Sequence, residues 1–175
     1  MRTIAPLLLL SFFSWQLMAQ TTQDTEFPKE FIMHLKLHNG MVTNFTNRPD
    51  LYTGGIQLVP QYTILKKLMR AGIIIDGYYT SKKLSAAIGP TVTFKLKTLN
   101  TAPFGSAGNI NISFDHLWGT NKEQLLGGSI NADIGNKLLL GLSIHRDYNL
   151  NTWWLQNTLG LRISKPKKQT EIYNQ

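Results

Sequence analysis

The sequence predicts an all-β protein, an eight-stranded antiparallel up-and-down transmembrane β-barrel preceded by a cleaved signal peptide. Eight stretches alternate apolar and polar side chains with period two, most clearly Gly108–Asp115. The polar stripe is Asn, Ser, Thr, Gln and Gly with few charges and almost no Glu, whereas a soluble barrel would cover its outside with Lys and Glu. We therefore expect the polar stripe to line a narrow lumen and the apolar stripe to face lipid.

The N-terminus is typical of a secretory signal. Arg2 supplies the positive region, Leu7–Phe13 the apolar run, and Ala19 a small residue for cleavage before Gln20. The apolar run is too short to cross about 30 Å of hydrocarbon as a helix. We assign 1–19 to the signal peptide and 20–30 to a flexible lead; removing 1–19 leaves 156 residues, enough for eight membrane strands of about 9–11 residues.

The first four strands are predicted where alternation begins, and they end at turn residues. Their outward faces begin at Phe31, Ile56, Met69 and Ala86, and Pro60 marks a bulge or a locally unpaired position. A long connection is predicted after the first strand, because Gly40 and several Asn residues that follow it are typical of turns. The four strands cover 31–38, 54–64, 68–79 and 85–97.

The second four strands follow the same rhythm. The fifth carries the clearest alternation, and Gly135-Asn136 makes a tight turn between the sixth and seventh. The last strand alternates apolar Leu159, Leu161 and Ile163 with polar residues. These strands cover 108–116, 126–134, 138–147 and 153–163, so the barrel domain is 31–164, and a basic polar tail covers 165–175.

Charge and cysteine content limit the partners. The formal net charge is +8, which favours anionic lipid headgroups, and no basic patch interleaved with aromatics indicates nucleic acid. The absence of cysteine excludes a lipobox, disulfides and thiolate metal sites. We expect no cofactor and no metal; outer-membrane lipid and lipopolysaccharide are the expected partners.

Three groups of residues have predicted places in the barrel. In a narrow lumen charges need partners, so we expect a plugging network there; it comprises Lys36, Arg70, Asp76, Lys95, Asp115, Asp133, His145, Asp147 and Arg162. Basic loop residues are candidate headgroup contacts, with solvated loop charges as the alternative; they are Arg48, Lys82, Lys83, Lys122 and Arg146. Aromatics near strand ends predict interfacial girdles; they are Phe31, Tyr62, Tyr79, Phe94, Trp118, Tyr148 and Trp153.

The layout resembles the small eight-stranded outer-membrane barrels, the OmpX-like and OmpA-transmembrane-domain-like families, over about the whole mature chain. The resemblance implies location in the outer membrane of a Gram-negative bacterium and assembly by the barrel-assembly machinery. Such barrels commonly end on an outward aromatic, a position that Ile163 occupies here, followed by a basic tail. The resemblance implies no activity, and we expect a structural or surface-interaction role through connections near 39–53, 80–84, 117–124 and 148–152.

Two other functions fit the alternation. If the barrel were inverted, the apolar stripe would line a pocket, as in a periplasmic lipocalin-like carrier of a hydrophobic ligand. A lipid-modifying enzyme or protease would use His145 with a neighbouring Asp or Ser, although no nucleophile elbow is present. His34 and His38 lie on one strand face about 13 Å apart, too far to share a metal ion along the strand.

Overall fold

The structure is a computed structural model, and it describes residues 30–45, 50–80, 83–99, 108–135 and 137–164. The predicted signal peptide, most of the lead and the basic tail lie outside these residues. The described residues form eight strands and contain no helix that could cross a membrane. The strands are β1 Phe31–Thr43, β2 Leu51–Leu65, β3 Met69–Thr80, β4 Lys83–Leu99, β5 Gly108–Gly119, β6 Gln124–Ile134, β7 Leu138–Asp147 and β8 Thr152–Arg162.

Each strand pairs antiparallel with its sequence neighbours, and β1 pairs with β8 to close the barrel. The prediction of an all-β, eight-stranded antiparallel barrel is confirmed. Closure leaves no unpaired sheet edge. We call the end where β1 begins and β8 ends the proximal rim, and the opposite end, where β1 ends and β2 begins, the distal rim.

The strands are strongly tilted. A row of paired outward-facing residues starts at Phe31 and returns to β1 at Met41, ten residues further on, after passing Tyr62, Ala71, Val92, Phe114, Gly128, Ile144 and Leu155. An offset of about 33 Å along the strands against about 38 Å across eight strands gives a tilt of about 40°. One residue along a strand then rises about 2.5 Å along the barrel axis, and one strand along the row rises about 3 Å.

The alternation places apolar side chains outside and most polar side chains inside. On β1, Leu35 and Leu37 are exposed, whereas His34, Lys36 and His38 are buried. The same division holds on β7, where Leu140, Leu142 and Ile144 are exposed and His145 is buried. The shortest strand, β7, has 10 residues, which spans about 25 Å of height, the height of an apolar membrane band.

The connection predicted at 39–53 is shorter in the structure, and this boundary was wrong. β1 continues to Thr43 and β2 begins at Leu51. Asn39 and Gly40 resemble turn residues in sequence, but both pair with β8, opposite Asn157 and Gln156. Ladder pairing to a strand more than a hundred residues away overrides the local turn preference.

β5 also extends beyond its predicted end, to Gly119, so Trp118 lies on a strand rather than in a loop. Pro60 pairs in register with Met33 of β1. On its other side the ladder with β3 is interrupted between the paired residues Leu58 and Gln61. Because proline has no N–H to donate, this agrees with the predicted local unpairing. The bulge in β2 lies further along, between Thr63 and Leu65.

Candidate functional site

The structure places eight of the nine predicted network residues with their side chains buried inside the barrel: Lys36, Arg70, Asp76, Asp115, Asp133, His145, Asp147 and Arg162. The ninth, Lys95, is half-buried near the proximal rim, where β4 bulges between Lys95 and Lys97. Its register partner on β5 is the buried Asn111, so it stays on the inward face at the rim.

We expected the lysines and arginines of the network to pair with its aspartates, and the structure shows this in part. Arg70 does lie 3.9 Å from Asp133. Asp76 instead pairs with His38, with Nε2 to Oδ1 at 2.9 Å, and the side-chain amide of Gln57 donates to its second oxygen at 3.1 Å. Each of these carboxylates lies on a different strand from its partner, so the pairs tie the barrel wall together across the lumen.

Two further pairs join His145 to Asp115, both predicted for the network, and Arg162 to Glu30, which was predicted to lie outside it. His145 Nε2 lies 3.4 Å from Asp115 Oδ2. Arg162 Nη2 lies 2.9 Å from Glu30 Oε2. Glu30 was predicted to belong to the flexible lead, but it is buried, and its carbonyl oxygen accepts the backbone N–H of Thr63. The lead is therefore held to the barrel at its last residue.

Lys36 occupies the middle of the lumen. Its side chain is buried, and the carboxylates of Asp76, Asp115 and Asp133 attract its ammonium group from three different strands. A buried lysine needs such compensation because an isolated charge in a narrow lumen is costly. The carboxylates of the network therefore compensate the charge of Lys36.

Neutral hydrogen bonds fill the space between the charges. Gln61 donates to Thr93 at 2.9 Å, and the Thr93 hydroxyl lies 2.9 Å from that of Ser113. Asn131 donates to Ser113 and to Ser129, at 3.4 and 2.8 Å. These contacts join β2, β4, β5 and β6, and they leave the proximal and middle lumen filled with protein side chains.

The distal lumen contains an apolar cluster, which differs from the expectation of a polar lumen throughout. Tyr78 and Trp154 meet edge-to-face with ring centroids 5.2 Å apart. Around them are buried Val42, Ala87, Leu117 and Leu125. We call these six residues the apolar plug. Trp154 shares its face with Gln156, so its inward position follows from period-two alternation.

Asp147 has a different role from the charge pairing that we predicted. It is fully buried, and its Oδ1 accepts the backbone N–H groups of Gln124, Asn149 and Leu150, at 3.3, 3.0 and 3.1 Å. A carboxylate that accepts several backbone N–H groups caps a turn. Buried Glu123 acts in a similar way in the neighbouring connection, where Oε2 accepts the N–H of Asn121 at 2.8 Å.

The seven predicted girdle aromatics lie on the outer face and gather near the two rims. Phe31, Tyr62 and Phe94 lie on the proximal side. Tyr79, Trp118, Tyr148 and Trp153 lie on the distal side. From the strand tilt, the mean heights of the two groups differ by about 24 Å. This separation matches the apolar band of a membrane barrel, about 25 Å.

Of the candidate headgroup contacts, Arg48 and Lys82 lie outside the described residues. Lys83 and Lys122 are exposed, and Arg146 is half-buried. All three are at the distal rim. The Arg146 guanidinium lies over the Trp153 ring, 5.1 Å from its centroid, and donates to the Asn151 side-chain oxygen.

The exposed charges of the described residues are almost all cationic. Among the described acidic residues, only Asp50 is exposed; Glu30, Asp76, Asp115, Glu123, Asp133 and Asp147 are buried. The exposed described charges are otherwise cationic, at both rims: Lys66, Lys67, Lys83, Lys97, Lys122 and Lys137. The outer surface therefore attracts anionic groups more strongly than the net charge alone indicates.

The lumen residues do not assemble the constellations of the enzyme alternative. Ser143 donates to Gln156 at 3.3 Å, and Ser113 contacts Thr93 and Asn131; neither forms a hydrogen bond to His145 in the described part of the chain. No group of three or more His, Cys, Asp or Glu suited to a metal ion occurs among the described residues.

Sequence reasoning missed four features: the buried position of Glu30, the turn cap at Asp147, the apolar plug, and two outward asparagines. The period-two alternation indicated two of them. Glu30 shares the inward face of Ile32 and His34, and Asn39 shares the outward face of Leu35 and Leu37. The turn cap had no such signal, since alternation gives a face and not a partner.

Comparison with protein-family models finds none that matches the chain, and comparison with curated proteins finds no similar sequence. Function is therefore argued from the barrel and its surfaces.

Proposed function

We propose that this protein is a non-enzymatic outer-membrane β-barrel with a structural or surface-interaction role in the envelope of a Gram-negative bacterium. The observation that carries the proposal is the inverted distribution of polarity in a closed barrel, with Leu35, Leu37, Leu140 and Leu142 exposed while charged residues are buried. A continuous apolar outer surface of this kind is unfavourable in water and favourable in lipid.

The N-terminal sequence supports export, because it suits a cleaved signal peptide. The last strand is followed by exposed Ile163, where the barrels that this layout resembles commonly have an aromatic. Both rims carry exposed lysines, which suit anionic lipid headgroups on either side of a membrane.

The filled lumen favours a structural role over transport. Buried polar side chains occupy its proximal and middle parts together with apolar residues such as Ile32, Val59 and Ile74, and the apolar plug occupies its distal part. Eight strands leave little space beyond side chains, so the barrel would not conduct in its resting state. Interactions with other molecules then take place at the distal rim or on the outer wall.

The inverted alternative, a carrier with an apolar pocket inside, would require the opposite arrangement of faces. Most buried side chains of the described strands are polar or charged, and exposed large apolar side chains occur on all eight strands. The arrangement favours the membrane barrel over the carrier.

Gel mobility of the membrane fraction, unheated and boiled in SDS, tests the proposal. A folded membrane barrel resists SDS and shifts on boiling. Ile112→Arg and Leu140→Arg place a charge on the apolar outer wall and should lower the assembled fraction, whereas Lys66→Arg, at the proximal rim, should assemble normally. A soluble wild-type protein without a shift would contradict the proposal, as would normal assembly of both outer-wall variants.

A further inference from the structure

The outer wall of β5–β8 contains a groove in an otherwise apolar surface. It has a volume of about 970 Å³, and a second groove of about 690 Å³ adjoins it, with Ile130, Leu142 and Asn157 lining both. The floor of the larger groove is formed at Gly128. A Cβ at this position would collide with the carbonyl oxygen of Ser113, so the position accommodates only glycine and the floor is bare backbone.

Two asparagines interrupt the apolar wall within the grooves. Asn39 of β1 and Asn157 of β8 are cross-strand partners, both point outward, and both are exposed. Neither amide forms a side-chain hydrogen bond within the described part of the chain. They lie about 17–20 Å above Phe31, within the band between the two aromatic groups. An unpaired amide at this depth is costly in hydrocarbon, so a polar partner there would stabilise the barrel.

The distal end of the groove is cationic. Arg146, Tyr148 and Trp153 line it, with the guanidinium over the indole. Lys122 is exposed on the adjoining connection, where its backbone oxygen accepts the side-chain N–H of Asn149 at 2.7 Å. The neighbouring acidic residues do not neutralise the positive charge at this end of the groove, since Glu123 and Asp147 are buried and accept backbone N–H groups.

The positive charge at the distal end of the groove distinguishes between two occupants, a second copy of the chain and a lipid. A second copy joined across a two-fold axis would bring two Arg146 side chains toward each other, and like charges oppose that contact. An anionic lipid instead complements the positive charge at the distal end of the groove. Arg146 and Lys122 suit a lipid with more than one phosphate. Asn39 and Asn157, which lie deeper, suit ester- or amide-linked acyl chains.

We propose that this groove is a binding site for lipopolysaccharide. Arg146 and Lys122 bind its phosphates at the distal rim, an acyl chain lies over Gly128 between Ile130 and Leu142, and Asn39 and Asn157 face the acyl linkages a few ångströms deeper. The inference rests on the proposed function, with the distal rim in the outer leaflet. It assigns one specific site on the wall, beyond general attraction of headgroups to surface lysines.

Native mass spectrometry of the refolded barrel in detergent, titrated with purified lipopolysaccharide, tests the site. Wild type should bind one molecule per barrel. Arg146→Gln should weaken binding about tenfold and Asn157→Leu several-fold. Lys66→Gln removes the same charge at the opposite rim and should bind as wild type. Phosphatidylglycerol, titrated in parallel, should bind more weakly and without sensitivity to Arg146→Gln.

Several results would overturn the proposal. Equal affinity in Arg146→Gln and Lys66→Gln would do so, and equally tight phosphatidylglycerol binding would reject lipopolysaccharide as the occupant. Dimers that disappear in Asn157→Leu would identify a second copy instead. Gel mobility of the same samples separates the two proposals: a heat-shifting barrel without the site rejects this inference alone, and a soluble chain without a shift rejects both.

Discussion

If β3 crosses a membrane as proposed, a single arginine on its outer face should cost more stability the deeper its position lies. Ile75 points outward, is 43% exposed, and lies within about 2 Å of the midpoint between the two aromatic groups. Tyr79 points outward on the same strand, four residues further toward the distal rim, which places it about 10 Å higher. The pair therefore differs mainly in depth.

The expected magnitudes follow from these depths. Arginine costs about 2–4 kcal/mol at the bilayer midplane and about 0–1 kcal/mol near the interface. Ile75→Arg should therefore destabilise the barrel by about 2–3 kcal/mol more than Tyr79→Arg. That difference corresponds to roughly a 30- to 160-fold change in the unfolding equilibrium.

Urea unfolding in phospholipid vesicles, with the folded fraction read from unheated gel mobility, measures both variants against wild type. Equal destabilisation of the two variants would refute the assignment of β3 to a membrane-crossing depth. A cost below about 1 kcal/mol for Ile75→Arg would show that the outer face does not contact hydrocarbon.

Three further predictions concern the interior and the distal turns. Trp154→Ala empties space beside Tyr78; it should lower the free energy of unfolding by about 3–5 kcal/mol and raise ion conductance in planar bilayers, and unchanged conductance would mean that the plug is not the barrier. Asp76→Leu leaves buried His38 without its carboxylate partner and should lower the free energy of unfolding by about 3–5 kcal/mol, part of which the double variant with His38→Leu recovers. Additive effects of the two substitutions in urea unfolding would argue against the pair. Asp147→Ala removes the acceptor of three backbone N–H groups and should cost about 1–3 kcal/mol, with faster hydrogen exchange at Asn149 than in wild type; unchanged exchange would contradict the turn cap.

The strand order and the faces could be predicted from the sequence because both depend on local alternation. Leu35, Lys36 and Leu37 already show which side each residue takes, and every predicted strand overlaps a strand of the structure. Strand ends were less predictable. Asn39 and Gly40 resemble a turn when read alone, and only their pairing with β8 keeps them in the ladder.

The interior partners could not be predicted because they depend on the stagger between strands. His38 reaches Asp76 and not another carboxylate because the register of β1 against β2, and of β2 against β3, places them at adjacent heights. Alternation identifies a residue as inward but leaves its height undetermined. The apolar plug was missed for a related reason, since Tyr78 and Trp154 are 76 residues apart and meet only across the closed barrel.

The central claim, that the apolar face of this barrel contacts lipid, is tested most directly by spin labels along one strand. The chain has no cysteine, so single-cysteine variants at Ile110, Ile112, Phe114 and Trp118 of β5 can be labelled without background. In vesicles, the accessibility of the labels to oxygen relative to a water-soluble nickel complex should be greatest at Phe114 and fall toward both ends. Uniformly high accessibility to the nickel complex at all four positions would contradict the claim.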